Sequence, residues 1–201
     1  MRIIHISDTH SKHHQLSDLP DADMIIHSGD LSWTGTGLEI VDFVDWFGSL
    51  DYQYKIFIAG NHDFCMDRKK PETIQRFLPA NCFYLYNSGI SIEGLKFWGI
   101  PLFISDEIGS FPPLIMAQIP ADTDILVTHQ PPYGILDRAK GTTYGCPHLL
   151  DAVLKISPRC HLFGHIHDAY GVDKLPETTF ANSAVLNEDY HLSNKPFVFE
   201  I

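Results

Sequence analysis

An α/β fold is predicted by three observations. Short β-branched apolar runs alternate with helical patterns through the first half of the chain, each run ends in small or turn-forming residues, and the polar motifs sit at those ends. Residues 2–7 (Arg-Ile-Ile-His-Ile-Ser), 24–28 (Met-Ile-Ile-His-Ser) and 55–59 (Lys-Ile-Phe-Ile-Ala) read as strands buried on both faces. Between the second and third, Thr36-x-x-Glu39 predicts a capping box. Leu38, Val41, Val44, Phe47 and Leu50 then recur every three residues as the expected apolar stripe of a helix. Pro71 suits a first helical position, with a short helix over 72–78. A hairpin follows, with strands at 82–86, 89–93 and 95–100 and Glu93-Gly94 as a turn. Residues 101–122 hold Pro101, Pro112, Pro113 and Pro120 without periodicity, as expected of a long surface loop or cap. A strand at 124–128, a helix opening at Pro147, and strands near 160–163, 169–172, 178–181 and 196–200 complete the chain. No internal repeat or linker interrupts it, so residues 1–201 are expected to form one domain.

Composition narrows the function classes. A chain of 201 residues that is 44% hydrophobic and 19% charged has enough apolar content for a well-buried core. A formal net charge of -11 argues against a surface that grips long nucleic acids. Arg68-Lys69-Lys70 is the one short basic run and reads as a solvated turn. Neither a signal peptide nor a membrane-spanning stretch is evident, and Cys65, Cys82, Cys146 and Cys160 form no C-x-x-C pair. A cytoplasmic protein with reduced thiols and no membrane partner is the expectation.

Five motifs carry the chemistry: Asp8-Thr9-His10, Gly29-Asp30, Gly60-Asn61-His62-Asp63, Thr128-His129 and Gly164-His165-Ile166-His167. They supply carboxylate, carboxamide and imidazole groups, which suit divalent ions of intermediate softness, and no cysteine, the usual ligand of a closed structural zinc site. Asp8, Asp30, Asn61, His129 and His165 each follow a predicted strand, where open α/β sheets place ligand sites. In an extended segment the residues of Asp8-x-His10, and of His165-x-His167, point to one side, while His62 points away from Asn61. Gly29, Gly60 and Gly164 are expected to let the backbone turn tightly beside the ligands.

The ordered set D-x-H, GD, GNH[DE], H and GHxH resembles the calcineurin-like metallophosphoesterase superfamily, and within it the metallophosphoesterase-domain-containing subgroup, close to class III cyclic nucleotide phosphodiesterases. Supporting stretches are His5-Ile-Ser-Asp-Thr-His-Ser11, Trp46-Phe-Gly-Ser-Leu50, Tyr54-Lys-Ile-Phe-Ile-Ala-Gly-Asn-His62, Thr128-His-Gln-Pro-Pro132 and Phe163-Gly-His-Ile-His-Asp-Ala-Tyr-Gly171. As a set the motifs are specific; GD alone is nearly uninformative. The resemblance implies a four-layer α/β/β/α sandwich of two mixed sheets flanked by helices. It implies two divalent ions per chain, manganese first, with iron, zinc, nickel or magnesium as alternatives. One ion falls to Asp8, His10 and His167, the other to Asn61, His129 and His165, and Asp30 bridges them with one oxygen toward each. Hydrolysis by a water ionised between the ions follows, with His62 as general acid or transition-state stabiliser. No carboxylate partner is assigned to His62, because Asp63 is its immediate neighbour.

The remaining candidates carry less. His5 and His27 lie within predicted strands and are expected beside the site, His13 and His14 at the pocket mouth, and His148, His161 and His191 in structural or exposed positions. Trp33, Phe103 and Tyr133 could stack on a base, though loop aromatics more often simply pack; Asn182-Ser183 resembles a family segment near the site. Departures from neighbouring families narrow the substrate. Phosphoprotein phosphatases follow GD with a second Asp and Arg-Gly, whereas Leu31-Ser32-Trp33 stands here. Double-strand-break nucleases carry extra DNA-binding segments, and secreted 5'-nucleotidases a second domain. A small, cyclic-nucleotide-like phosphodiester is the expected substrate. Phosphomonoester or pyrophosphate hydrolysis on another small molecule, and a non-catalytic metal-binding scaffold, are the alternatives.

Overall fold

The computed structural model describes residues 1–67, 69–102 and 112–201. Arg68 and residues 103–111 of the expected 101–122 loop, Phe103 among them, lie outside these. The strands are β1 (Arg2–Ile6), β2 (Met24–His27), β3 (Tyr54–Phe57), β4 (Cys82–Tyr84), β5 (Ser88–Ile92), β6 (Leu95–Ile100), β7 (Ile125–Thr128), β8 (Arg138–Ala139), β9 (Thr142–Thr143), β10 (Cys160–Phe163), β11 (Gly171–Lys174), β12 (Thr179–Asn182) and β13 (Phe197–Glu200). The α-helices are α1 (Gly37–Ser49), α2 (Pro71–Gln75), α3 (Pro112–Met116) and α4 (Pro147–Ile156).

Two mixed sheets stack face to face. One is five-stranded, ordered β13-β1-β2-β3-β4, and the other six-stranded, ordered β11-β12-β10-β7-β6-β5. Their cores follow from the two-residue alternation of buried strands. Ile3, Met24, Ile26 and Ile56 meet Phe97, Ile125, Val127 and Leu162 between the sheets. The alternate residues Ile4, Ile25 and Phe57 pack outward on Phe43 and Phe47 of α1. On the far side, Leu126, Phe163 and Phe180 pack on Leu149 and Val153 of α4. A helix layer thus covers each outer face, giving the α/β/β/α sandwich. Because both faces of β1, β2, β7 and β10 are covered, their sequences run apolar without a polar face.

Three sequence expectations change. β4 is not part of the hairpin: it pairs in parallel with β3 at the edge of the first sheet, with Lys55 opposite Cys82. Only β5 and β6 form the hairpin, and Glu93 (φ 49°) and Gly94 (φ 82°) make the two-residue, left-handed turn that such pairs favour. Residues 112–116, expected as loop, are helical.

The buried face of α1 also differs from the expected stripe. Its capping box forms as expected, with Glu39 N–H donating to Thr36 Oγ1 at 3.3 Å and Thr36 N–H to Glu39 Oε2 at 3.0 Å. The buried residues, however, are Ile40, Phe43, Trp46 and Phe47, while Leu38 is 84% and Val41 58% exposed. A strict three-residue spacing advances about 300° per step, so five such positions drift over most of the helix circumference and cannot all face one core.

Candidate active site

The two sheets meet at the carboxyl ends of their strands, and that junction builds the site. Ser7 N–H donates to the Ser183 carbonyl at 3.0 Å, Val185 N–H returns to the Ser7 carbonyl at 3.0 Å, and Ser183 N–H reaches Phe163 of the second sheet at 3.0 Å. Beyond β1 and β2 the loops keep bonding: Asp8 N–H to the Gly29 carbonyl at 2.9 Å and His10 N–H to that of Asp30 at 3.0 Å. Across the junction, His165 N–H donates to both oxygens of Asp8, at 3.1 and 3.0 Å. Motifs separated by more than a hundred residues are thereby placed side by side.

The local geometry is left-handed, not extended as the sequence predicts. Asp8 (φ 57°), His10 (φ 43°), Asp30 (φ 56°) and His165 (φ 71°) all adopt such backbone. Each such residue costs on the order of 1 kcal/mol or more, and strain of this kind concentrates where surrounding bonds fix functional groups. All three motif glycines serve close approach. Gly29 has a positive φ of 106°, but Gly60 and Gly164 do not. A Cβ on Gly60 would strike the Asp30 carboxylate, and one on Gly164 the Asp8 carboxylate.

Three of the imidazoles share one arrangement. Nδ1 of His10 lies 3.3 Å from the Ser32 carbonyl, that of His129 2.8 Å from Ser28, and that of His167 3.0 Å from Leu186 and 3.1 Å from Asn187. A carbonyl only accepts, so Nδ1 carries a proton, and a ring in its neutral form turns an unprotonated Nε2 inward. Those nitrogens face other acceptors. His10 Nε2 lies 3.4 Å from His167 Nε2, and His129 Nε2 3.0 Å from Asn61 Oδ1. Lone pairs aimed at one another repel unless a cation lies between them, and Nδ1-to-carbonyl bonds are the usual orienting contacts of metal-bound histidines. The residues present therefore fit divalent ions. Ligand atoms of Asp8, His10 and His167 lie within 4.8 Å of one another, as do those of Asp30, His129 and His165.

Asp30 joins the two groups differently from the expectation. Its Oδ2 faces both, at 3.5 Å from His10 Nε2 and 3.4 Å from His129 Nε2, whereas Oδ1 accepts the His62 N–H at 2.9 Å. A single oxygen is shared. Electrostatics match this buried cluster. Burial pushes His10 and His165 down to about 4, leaving them neutral. For His129 burial opposes the charge, but the Asp30 carboxylate outweighs it and raises the ring to about 9, so a proton on its Nε2 takes the place a cation would hold beside Asp30 and Asn61. Asp30 is held well below the usual carboxylate range, against its own burial, by His129 and His10.

His62 has a backbone partner, not a carboxylate: its Nδ1 donates to the Trp33 carbonyl at 2.9 Å. Its ring meets that of His10 edge-on at 4.7 Å. Asp63, left without a role by sequence, is buried and accepts Gly60 N–H (2.8 Å), Leu31 N–H (3.2 Å), Ser32 N–H (2.9 Å) and Ser32 Oγ–H (2.6 Å). It ties the Asn61 loop to the Asp30 loop. Burial and nearby Asp30 raise its pKa to about 6. Sequence reasoning also misses Tyr190, for no motif surrounds it; its ring lies 4.9 Å from His167 and 4.8 Å from Trp33.

The secondary candidates divide. His5 lies behind the site, 2.8 Å from Ser28 Oγ and 2.6 Å from Ser183 Oγ, and His27 bonds Thr9 Oγ1 at 3.0 Å. Asn182 donates to the Ile166 carbonyl at 2.8 Å. His161 is buried and bonds Thr128 Oγ1 at 2.9 Å; His148 and His191 are exposed. His13 and His14 do not border this site: both contact Asp42 on α1. Trp33 is 43% exposed beside His62, while Tyr133, also exposed, contacts none of these groups. A cavity of about 500 Å3 lies next to His129, lined by Ile100, Met116, Thr128, Gln130 and Leu149 among others, but no imidazole or carboxylate of the cluster lines it.

Comparison with known proteins agrees with this geometry. Residues 1–169 match the family described as calcineurin-like phosphoesterase. Human metallophosphoesterase domain-containing protein 1 is 34% identical over all of this chain and 71% of its own length. The Caenorhabditis elegans UPF0046 protein C25E10.12 is 34% identical over all of this chain and 81% of its own. Among solved structures, TT1561 of Thermus thermophilus superposes with a TM-score of 0.68 at 14% identity, covering 91% of this chain and 88% of that one. A protein described as a novel archaeal phosphodiesterase gives 0.51 at 15% identity, covering 99% and 100%. These two share the fold. The chain belongs to the calcineurin-like phosphoesterase family, and so to the phosphoric ester hydrolases that bind divalent metal ions.

Proposed function

We propose that this protein hydrolyses a small phosphodiester, of the cyclic nucleotide type, at a dinuclear centre. The carrying observation is the pair of inward acceptor clusters, His10 Nε2 facing His167 Nε2 at 3.4 Å and His129 Nε2 facing Asn61 Oδ1 at 3.0 Å, with one Asp30 oxygen between them. Asp8, His10 and His167 would hold one ion, Asn61, His129 and His165 the other, and Asp30 both. Bound there, divalent ions of the manganese type activate water and polarise phosphoryl oxygens.

The chain's own groups do the rest. Asn61 brings a neutral oxygen, so its cluster carries less negative charge than the one containing Asp8. His62 stands at the open edge, where its Nδ1–H bond to the Trp33 carbonyl orients the ring and leaves Nε2 free to face a leaving oxygen. Exposed Trp33 offers an apolar wall where the leaving group departs. The continuation Leu31-Ser32-Trp33 supports a small substrate, since Ser32 is committed to Asp63 and Trp33 to the rim.

Turnover of cyclic nucleotides, nucleoside monophosphates and dinucleotides with manganese present tests the reading. Cyclic substrates should be cleaved fastest; a clear preference for monoesters would replace it with a phosphomonoesterase. His62→Ala should keep its metals and lose rate by about 10²- to 10⁴-fold. Asp30→Asn should weaken retention at both clusters. An unchanged rate of bis(p-nitrophenyl) phosphate hydrolysis in His62→Ala would remove His62 from the mechanism.

A further inference from the structure

We propose that His13, His14 and Asp42 form a separate cation site that takes one zinc-like divalent ion. His13 and His14 stand on the 3-10 turn His13–Gln15, and Asp42 on α1. His13 Nε2 lies 3.1 Å from Asp42 Oδ2 and His14 Nε2 3.1 Å from Oδ1, so two imidazoles converge on the two oxygens of one carboxylate. One ligand atom from each residue lies within 4.8 Å of the other two. Neighbouring donors of a tetrahedral zinc ion, with bonds of about 2.0–2.2 Å, sit about 3.3–3.6 Å apart. The two nitrogen–oxygen distances fall within a few tenths of an ångström of that spacing.

The chemistry of the donors favours zinc, cobalt or nickel. Two imidazoles and a carboxylate form a borderline three-ligand set with a fourth position open to water. His13 is held in place: it is buried, its ring 4.9 Å from Trp46 and 5.6 Å edge-on from Phe43. Among the described residues its buried Nδ1 has no hydrogen-bond partner, so a proton on Nε2 strands an acceptor at Nδ1, and a proton on Nδ1 turns the Nε2 lone pair onto Asp42. A cation removes that second conflict. The side chains of His14 and Asp42 are 59% and 54% exposed, which leaves an entry path and the open position. An ion here would pin the segment carrying Asp8 and His10 to α1, where Ser11 Oγ–H already donates to Glu39 at 2.9 Å.

Tag-free protein, stripped with chelator and reloaded with zinc or cobalt, tests the site by metal analysis after desalting and by cobalt absorption. His14→Ala and Asp42→Asn change exposed side chains and should keep the fold by circular dichroism. Each should retain about one ion fewer than the parent and lose a tetrahedral cobalt band, with hydrolysis of bis(p-nitrophenyl) phosphate unchanged. Asp30→Asn should lose ions from the central cluster and keep this band. Equal metal content and identical cobalt spectra in the parent and both variants would overturn the proposal. If instead Asp30→Asn kept every ion while His14→Ala still lost one, the central assignment would fail and this one would stand.

Discussion

At the scale of single residues, Asp63 is the group whose importance is least apparent from its type. One carboxylate oxygen accepts Ser32 N–H and Oγ–H and the other accepts Gly60 and Leu31 N–H, so every lone-pair direction facing the two loops is used. An amide cannot imitate this, because its NH2 must face donors in either orientation. Asp63→Asn should thus be nearly as damaging as Asp63→Ala, each costing on the order of 3 kcal/mol by denaturant unfolding. Metal retention should fall with it, since Asn61 and Asp30 lose their common tether. If Asp63→Asn were as stable as the parent, the carboxylate would be only a filler. Gly60→Ala makes the complementary case: its Cβ would displace Asp30, so activity should collapse while the distant cores stay intact.

At the scale of elements, α1 shows how packing selects a face. Phe43 touches Phe47, Trp46, Phe57 and His27 and is fully buried, so Phe43→Ala should cost about 3–5 kcal/mol. Leu38→Ala and Val41→Ala, on the exposed side, should stay within about 0.5 kcal/mol. Urea unfolding of the three variants separates the two faces, and a large loss in Leu38→Ala would restore the stripe read from the sequence. The capping box is a local feature that sequence alone located, with Thr36→Ala expected to cost about 1 kcal/mol. Glu39 also accepts from Ser11, Trp33 and Thr34, so the helix start braces the loop that carries the His62 partner.

At the scale of the whole molecule, buried histidines set the acid limit. Burial lowers His5 and His161 from 6.5 to about 3, and lowers His27 in the same direction. In each case the unfolded chain takes up a proton that the folded one refuses. The contribution of these three groups to stability should therefore be full above about pH 6.5 and fall as pH drops toward 3, by about 1.4 kcal/mol per pH unit for each group. Unfolding midpoints measured at pH 7, 6 and 5 should trace that fall. In His161→Gln the slope should shrink by about one proton; an unchanged slope would mean that His161 charges freely in the fold. Among the described residues no helix is long and apolar enough to cross a membrane.

The alternation of strands and helices, the capping box, the hairpin turn and the motif residues that gather at the sheet ends are all legible in the order of the amino acids. These are local properties: strand burial shows as apolar runs, turns as glycine and asparagine, and metal-ligand types as the side chains themselves. Long-range packing settles which sheet β4 joins, which face of α1 is buried, and that one oxygen of Asp30 serves both clusters. Likewise the Trp33 carbonyl beside His62, the donors around Asp63 and the place of Tyr190 depend on backbone atoms and on segments far apart in the chain. Backbone carbonyls and N–H groups are the same in every residue, so their use as partners leaves no mark in the sequence. It appears only when the two sheets close on each other and bring those atoms within hydrogen-bonding reach.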